Sequence, residues 1–211
     1  MDDLDAFVAT RLALHAVAEW VLAPARYRVD GHIGLRATGG GFGNDVARVD
    51  GTDLVVGDQR RPLTTLADAA AFVGVPPGED TGTYEPVTTW DADAPLAVDA
   101  AAARLLADWF ATSTDILERF RIETDGPTAI TLWPEHFDLG FSAAEVNYGA
   151  SAGDGGHPTP YLYVGPWNGI DTAEPFWNEP FGASLDHTEA AGAEAFLRRG
   201  RDLTRTAPTR G

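Results

Sequence analysis

The sequence predicts an α+β domain in which an antiparallel sheet carries helices packed on one face. Apolar residues recur at helical spacing in two long segments, near the N-terminus and over residues 99–122. Between and after these segments, short stretches alternate apolar and polar residues, as half-buried strands do. The predicted strands follow one another in runs, whereas a parallel sheet needs strands that alternate with helices.

The first predicted helix covers residues 4–22 and ends before Pro24, because proline inside a helix removes a backbone hydrogen bond. Residues 32–38 alternate in polarity and predict a strand. A hairpin follows over residues 46–56, around the turn signal Asp50-Gly51.

A short helix is predicted over residues 65–73, where Thr65 opens a capping box and Gly74 ends the helix. The connection that follows, residues 76–95, contains proline, glycine and polar side chains. It is long for a compact domain, so it either packs across the core or is mobile.

The helix over residues 99–122 has the clearest pattern, and a strand-rich region follows over residues 129–165. Residues 169–185 are predicted to be an irregular aromatic loop, and a final helix runs from Asp186 to about residue 204. We expect a single domain over residues 1–211, with a flexible tail at about 205–211.

The bulk composition excludes several kinds of site. A chain of 211 residues buries enough surface to form a core without a metal or disulfide. It has no cysteine, which excludes disulfides, zinc-thiolate sites, iron–sulfur clusters and thiol nucleophiles. The acidic start Met1–Asp5 is unlike a signal peptide, and no apolar run approaches the ~20 residues of a membrane span. These features predict a soluble, cytoplasmic protein.

The charge pattern argues against two classes of partner. The net charge is −17, and all fifteen basic residues are arginine, with no lysine. Such a surface repels phosphate backbones and anionic lipids, which disfavours general nucleic-acid binding and membrane binding. A GC-rich genome and adaptation to high salt both explain this composition, and the sequence does not choose between them.

Four short motifs suggest a family. Leu14-His15 lies in the first helix, Trp133 and Phe137-Asp138-Leu139 in a predicted strand, Trp167 at the end of another, and Phe196-Leu197 in the last helix. In this order they resemble an uncharacterised, largely actinobacterial family known only as a domain of unknown function, although this chain is shorter in its middle section. The resemblance implies a single domain and no catalytic residues.

The strand predicted around His136 and Asp138 carries the main candidate chemistry. With a period of two, these side chains share one face about 7 Å apart, and Trp133 and Phe137 lie on a buried aromatic face. The pair suits a general base held by a carboxylate, or half of a divalent metal site for zinc, manganese or iron. The metal ligands would be completed from Glu145, Asn147, Asp154 and His157. A structural histidine at the rim of the sheet is the alternative.

A ligand pocket between sheet and helices is the second candidate site. His15 lies within the apolar arc of the first helix, where it is either a hydrogen-bonded core residue or points into the same cavity as His136. Tyr161 and Tyr163 share one strand face. The ligand-binding residues expected from this pattern are His15, Asn147, Tyr148, Tyr161, Tyr163 and Trp167.

Three functions remain open on these residues. The leading hypothesis is a small-molecule-binding protein, with enzyme activity left open. One alternative is a non-catalytic domain that docks a protein partner through the aromatic loop 166–181, and another is a metal-dependent hydrolase or isomerase. Residues 149–153 match the pattern G-x-S-x-G, but loop residues follow Ser151 where a nucleophile elbow needs a helix.

Overall fold

The computed structural model describes residues 3–206, which divide into two compact units. The first unit combines Met1–Ala111 with Thr131–Asp138, and the second combines Thr112–Ile130 with Leu139–Gly211. The described residues form helices and two antiparallel five-stranded sheets, which confirms the predicted α+β class. That the two units form one domain stays a prediction.

The first helix is longer than the sequence predicts. Helix α1 (Leu4–Val17), a π-helical turn (Ala18–Leu22) and helix α2 (Ala23–Asp30) follow without a break. The prediction that the helix ends before Pro24 is wrong, because the Ala23 N–H donates to the Ala18 carbonyl across the wider π turn. Proline then occupies the first turn of α2, where its missing N–H is tolerated.

This continuous helix is also apolar enough to cross a membrane by length and composition. Leu4–Asp30 has 27 residues, and its most apolar window has a mean hydropathy of 1.4. Within the fold, 67% of that window is buried. The helix therefore has the burial expected of a core helix in a soluble protein.

The first sheet lies in the first unit, and its strands follow chain order. The predicted hairpin is confirmed, since Asp50 pairs with Asp53 across a two-residue turn. The last strand has only exposed residues, so it lacks the polarity alternation by which a strand is recognised. The five strands are β1 (Arg36–Thr38), β2 (Gly41–Gly43), β3 (Arg48–Asp50), β4 (Asp53–Val56) and β5 (Gln59–Pro62).

Two further predicted helices are confirmed. In α3 (Leu66–Val73), the Thr65 side chain accepts a hydrogen bond from the Asp68 N–H, and Gly74 is left-handed at φ 84°. Helix α4 (Ala100–Arg121) runs from the first unit into the second. The Asp99 carboxylate accepts from two N–H groups in its first turn.

The second sheet has the strand order β10-β9-β8-β7-β6. Asp186 caps a 3-10 turn (His187–Gly192) that leads into α5 (Ala193–Thr206), as the capping pattern predicts. A flexible tail is predicted at about 205–211; the structure places Arg205 and Thr206 in α5, and residues 207–211 lie outside the described residues. The strands are β6 (Thr131–Trp133), β7 (Asp138–Ala143), β8 (Val146–Ser151), β9 (Tyr161–Pro166) and β10 (Ala183–Asp186).

Each unit has an aromatic cluster in its core. In the first unit, the Phe137 ring packs edge-on against Phe42 and Phe110 at centroid distances of 5.0 and 5.5 Å. In the second, Phe120 packs against Phe141 and Tyr148 at 6.2 and 5.0 Å. Such buried ring pairs add to the hydrophobic stabilisation of both cores.

Candidate functional site

The strand predicted around His136 and Asp138 is interrupted. Residues 134–137 form a turn between β6 and β7. Pro134 lacks the N–H of a ladder hydrogen bond, and Phe137 has a positive φ of 51°, so the alternation of faces does not continue across the turn. His136 is exposed and Asp138 is buried. The prediction that they share one strand face is therefore wrong.

The first helix instead carries a buried row of polar side chains. Arg11, His15 and Glu19 follow at intervals of four residues and are 5%, 8% and 3% exposed. Burying ionisable groups costs free energy unless they find partners. Glu19 also lies in the π turn, and π turns inside α-helices are frequent at functional sites.

Glu19 anchors the long connection of residues 76–95. One oxygen of its carboxylate accepts the Val87 N–H at 2.9 Å, and the other accepts the Thr88 N–H at 2.7 Å and the Thr88 hydroxyl. The neighbouring Trp20 donates its indole N–H to the Thr88 hydroxyl at 3.0 Å. The connection is thus attached to the helix at Val87 and Thr88, while its residues stay exposed or half-buried.

His15 is a hydrogen-bonded core residue. Its Nε2 lies 2.8 Å from the Pro134 carbonyl and 3.7 Å from a Glu19 oxygen, and its ring stacks on Phe137 at 5.3 Å. Because a carbonyl only accepts, Nε2 carries the proton. Burial lowers the pKa of His15 below its usual range, although the Glu19 charge acts in the opposite direction. The imidazole is therefore neutral near pH 7.

Tyr84 and Glu135 extend this polar region. Burial, together with the charges of Glu19 and Glu135, raises the pKa of Tyr84 far above its usual range. The Oε2 atom of Glu135 is buried without a hydrogen-bond partner among the described residues. The partners of Glu19 and His15 come from distant parts of the chain, so sequence spacing alone does not identify this region.

The candidate metal ligands do not converge. Among residues 3–206, no group of three or more histidine, aspartate or glutamate side chains is placed to hold a metal ion. Glu145 accepts a hydrogen bond from the Asn168 amide at 2.8 Å, whereas His157 lies 3.4 Å from Asp186. These two ligand candidates therefore belong to different side-chain clusters.

Asn147 and Trp167 come together in the second unit. The Trp167 indole donates to the Asn147 side-chain oxygen at 2.8 Å, and its backbone N–H donates to the Glu145 carbonyl at 2.9 Å. Both side chains are at the surface, and Trp167 is 60% exposed. The Trp167 ring is therefore exposed at the surface of the second unit and is not enclosed by other side chains.

Tyr161 belongs to a polar cluster at one end of β9. Its hydroxyl donates to Asp154 at 2.7 Å, and its ring stacks on His157 at 4.5 Å. His157 Nε2 also approaches the Asp186 carboxylate. Burial opposes the shift, but hydrogen bonds from Thr188, Thr159 and His157 hold the pKa of Asp186 well below its usual range. This acid remains ionised and orients the imidazole.

Tyr148 lines a cavity of about 170 Å³, together with Arg201 and Arg205. Burial raises the pKa of Tyr148 to about 12. Tyr163 lies elsewhere in the second unit, where its ring contacts Phe181 at 6.4 Å and covers Gly149. Of the predicted ligand-binding residues, Tyr148 is thus the one that lines this cavity.

Ser151 is not the nucleophile of an elbow. It ends β8, and its hydroxyl accepts the Gly153 N–H at 3.0 Å, in a loop instead of a helix start. A nucleophile elbow requires a helix immediately after the serine. This agrees with the interpretation of the sequence.

A larger site, an open cleft of about 440 Å³, lies in the first unit. Its lining consists of Arg26, residues 31–36, Thr131 and Trp133. Trp133 is 39% exposed, so the prediction that it lies on a buried face is wrong. Pro134 ends the strand directly after Trp133. The proline in the sequence therefore indicates that the alternation of buried and exposed faces stops at this point. The six predicted ligand-binding residues are all among the described residues, and none of them lines this cleft.

Comparison of the chain with protein-family models, curated proteins and solved structures found no match.

Proposed function

We propose that this protein binds a small molecule in the open cleft of its first unit. The observation that carries the proposal is the cleft itself, which has a volume of about 440 Å³ and is lined by the partly exposed Trp133. Ligand sites in proteins typically have volumes of roughly 300–1,000 Å³ and combine apolar and aromatic walls with a few polar groups.

The walls of the cleft combine apolar and polar surface in similar amounts. Ile33, Leu35 and Trp133 supply apolar surface, and the arginines Arg26 and Arg36 supply polar groups. The segment 31–36 is held against β6 by the bridge between Leu35 and Leu132, whose backbone hydrogen bonds measure 2.8 and 2.9 Å. One wall is therefore fixed by backbone pairing, which preorganises the site.

Gly34 lies close to the Thr131 side chain in the lining of the cleft. A Cβ atom at this position would lie 2.7 Å from the Thr131 methyl group. A side chain here would push the segment away from β6. The glycine therefore leaves room for the Thr131 side chain beside the segment 31–36.

A fragment screen by ligand-observed NMR tests the proposal. We expect aromatic fragments to bind, and Trp133→Ala to weaken them roughly threefold to tenfold, because a stacked ring pair is worth about 0.5–1.5 kcal/mol. Trp167→Ala is the matched control, since it removes an exposed indole from the second unit. The proposal fails if no fragment binds, or if Trp133→Ala binds every fragment as the wild type does.

A protein-interaction role for residues 166–181 is the second candidate. Trp167 and Phe181 are 60% and 46% exposed there, and exposed aromatic residues are enriched where proteins meet. A metal-dependent hydrolase or isomerase has less support, since no metal-binding group of three occurs among residues 3–206.

We also propose that the protein is soluble and works in the cytoplasm. Its support is the burial of the Leu4–Asp30 helix.

A further inference from the structure

We infer that the ligand of the cleft is an anion with a planar ring, such as an aromatic carboxylate. The inference rests on the proposed function and adds the chemical class of the ligand. It is argued from the charge of the lining, the geometry of its arginines and the exposed face of Trp133.

The lining differs in charge from the rest of the chain. The chain has 32 acidic and 15 basic residues. Among the described residues that line the cleft are Arg26, Arg36 and His32, but no aspartate or glutamate. Each arginine is paired with one aspartate outside the lining, Asp30 for Arg26 and Asp45 for Arg36, so an anion in the cleft would bind by competing with these carboxylates for the guanidinium groups.

Both arginines keep donors for a ligand. Arg26 binds the Asp30 carboxylate through its Nε atom, at 3.0 and 3.2 Å. Arg36 binds Asp45 through one terminal nitrogen. A guanidinium has five N–H donors in a fork that matches the two oxygens of a carboxylate. The remaining N–H groups of each arginine can therefore bind an anion.

Asp45 behaves as an internal substitute for that anion. The hydrogen bond and charge of Arg36, with a further contribution from Arg26, hold the pKa of Asp45 below its usual range. Both guanidinium charges thus act on one carboxylate. Its side chain is 78% exposed, so an incoming carboxylate competes with it without having to open a core.

Trp133 selects the shape of the ligand. An exposed indole offers a flat apolar face, on which a second ring packs in an offset or edge-on geometry. A ligand with one ring and one carboxylate would place the ring on Trp133 and the charge at the arginines.

The test compares 2-naphthoate with 2-naphthamide by isothermal titration calorimetry on the full chain. The two probes have nearly the same shape and differ in charge. We expect naphthoate to bind about tenfold more tightly, because hydrogen bonds between charged groups exceed neutral ones.

Two variants shift the affinity for naphthoate in opposite directions. Arg36→Gln should weaken it about tenfold, because a charged donor is lost. Asp45→Asn should strengthen it about twofold to fivefold, because the competing exposed ion pair is removed. Arg60→Gln is the matched control. Its side chain is 50% exposed and ion-paired like that of Arg36 (51%), but it lies on β5 outside the lining.

The outcomes separate the two proposals. Tighter naphthoate binding that responds to Arg36→Gln and not to Arg60→Gln supports the anionic ligand. Equal binding of the two probes, weakened by Trp133→Ala but not by Arg36→Gln, overturns the anionic class and leaves the cleft as a binding site. If neither probe nor any fragment of the screen binds, both proposals are overturned.

Discussion

Glu19 fixes a long stretch of chain through a single carboxylate. It accepts the Val87 and Thr88 N–H groups from a connection that contains no helix or strand. In Glu19→Ala, the part-buried N–H groups of Val87 and Thr88 and the Thr88 hydroxyl lose their acceptor, at about 1 kcal/mol each. We expect the free energy of unfolding in urea to fall by about 3 kcal/mol.

Hydrogen exchange locates the effect of this substitution. The amides of Val87 and Thr88 should lose protection in Glu19→Ala, whereas helix α4 should keep it. Glu85→Ala is the control, because Glu85 is exposed in the same connection and its loss should change stability by less than about 0.5 kcal/mol. Unchanged stability in Glu19→Ala would show that the connection is held by other contacts.

His15 makes stability depend on pH in a defined direction. Since the folded protein lowers its pKa below 6.5, the unfolded chain binds the proton more readily. The stability from the neutral imidazole is present above pH 6.5 and is lost as the pH falls towards the folded pKa. Between pH 6.5 and 5, the free energy of unfolding should therefore decrease with acid, by up to about 1.4 kcal/mol per pH unit.

Urea titrations at several pH values measure this contribution. His15→Gln keeps an N–H donor for the Pro134 carbonyl but does not titrate, so its stability should vary less with pH than that of the wild type. His32→Gln, which replaces an exposed histidine, is the control variant. Equal slopes for wild type and His15→Gln would show that the buried ring does not contribute.

At the scale of elements, the turn between β7 and β8 carries backbone strain. Its two residues, Ala144 and Glu145, have φ values of 49° and 62°. Two-residue hairpin turns of this kind favour Asn-Gly, because glycine has no Cβ atom and the short polar side chain of asparagine tolerates positive φ. The sequence here lacks that signal, and the turn is not predictable from it.

Glu145→Gly should therefore stabilise the protein by about 1 kcal/mol, measured by urea denaturation. The Trp167 N–H donates to the backbone carbonyl of residue 145, so this bond survives the change. The same replacement at Glu85, where φ is not positive, should be neutral or destabilising. A loss of stability in Glu145→Gly would mean that the bond from Asn168 to its side chain outweighs the strain.

Elements specified by local signals were predicted, and those that depend on distant partners were not. The cap at Thr65 and the hairpin at Asp50-Gly51 are local, and both are confirmed. At the π turn before Pro24 and at the turn 134–137, the backbone departs from the regular helix or strand that the apolar pattern predicts. Periodicity therefore assigned His136, Asp138 and Trp133 to the wrong surroundings.

At the scale of the whole molecule, the sequence predicts the α+β class but not the cleft. The class follows from two helical repeats and runs of alternating residues. The cleft depends on the bridge between Leu35 and Leu132, which are far apart in the chain. Periodicity within short segments contains no information about such pairing, so this cleft was not identified.

The most direct test of the central claim is a ¹H–¹⁵N spectrum of the tryptophan indoles during titration with 2-naphthoate. The chain has six tryptophans, and Trp133→Phe and Trp167→Phe assign the two resonances that matter. We predict that the Trp133 resonance shifts with ligand concentration and that the Trp167 resonance does not. A shift at Trp167 without one at Trp133, or no shift at millimolar ligand, would contradict the assignment of ligand binding to this cleft.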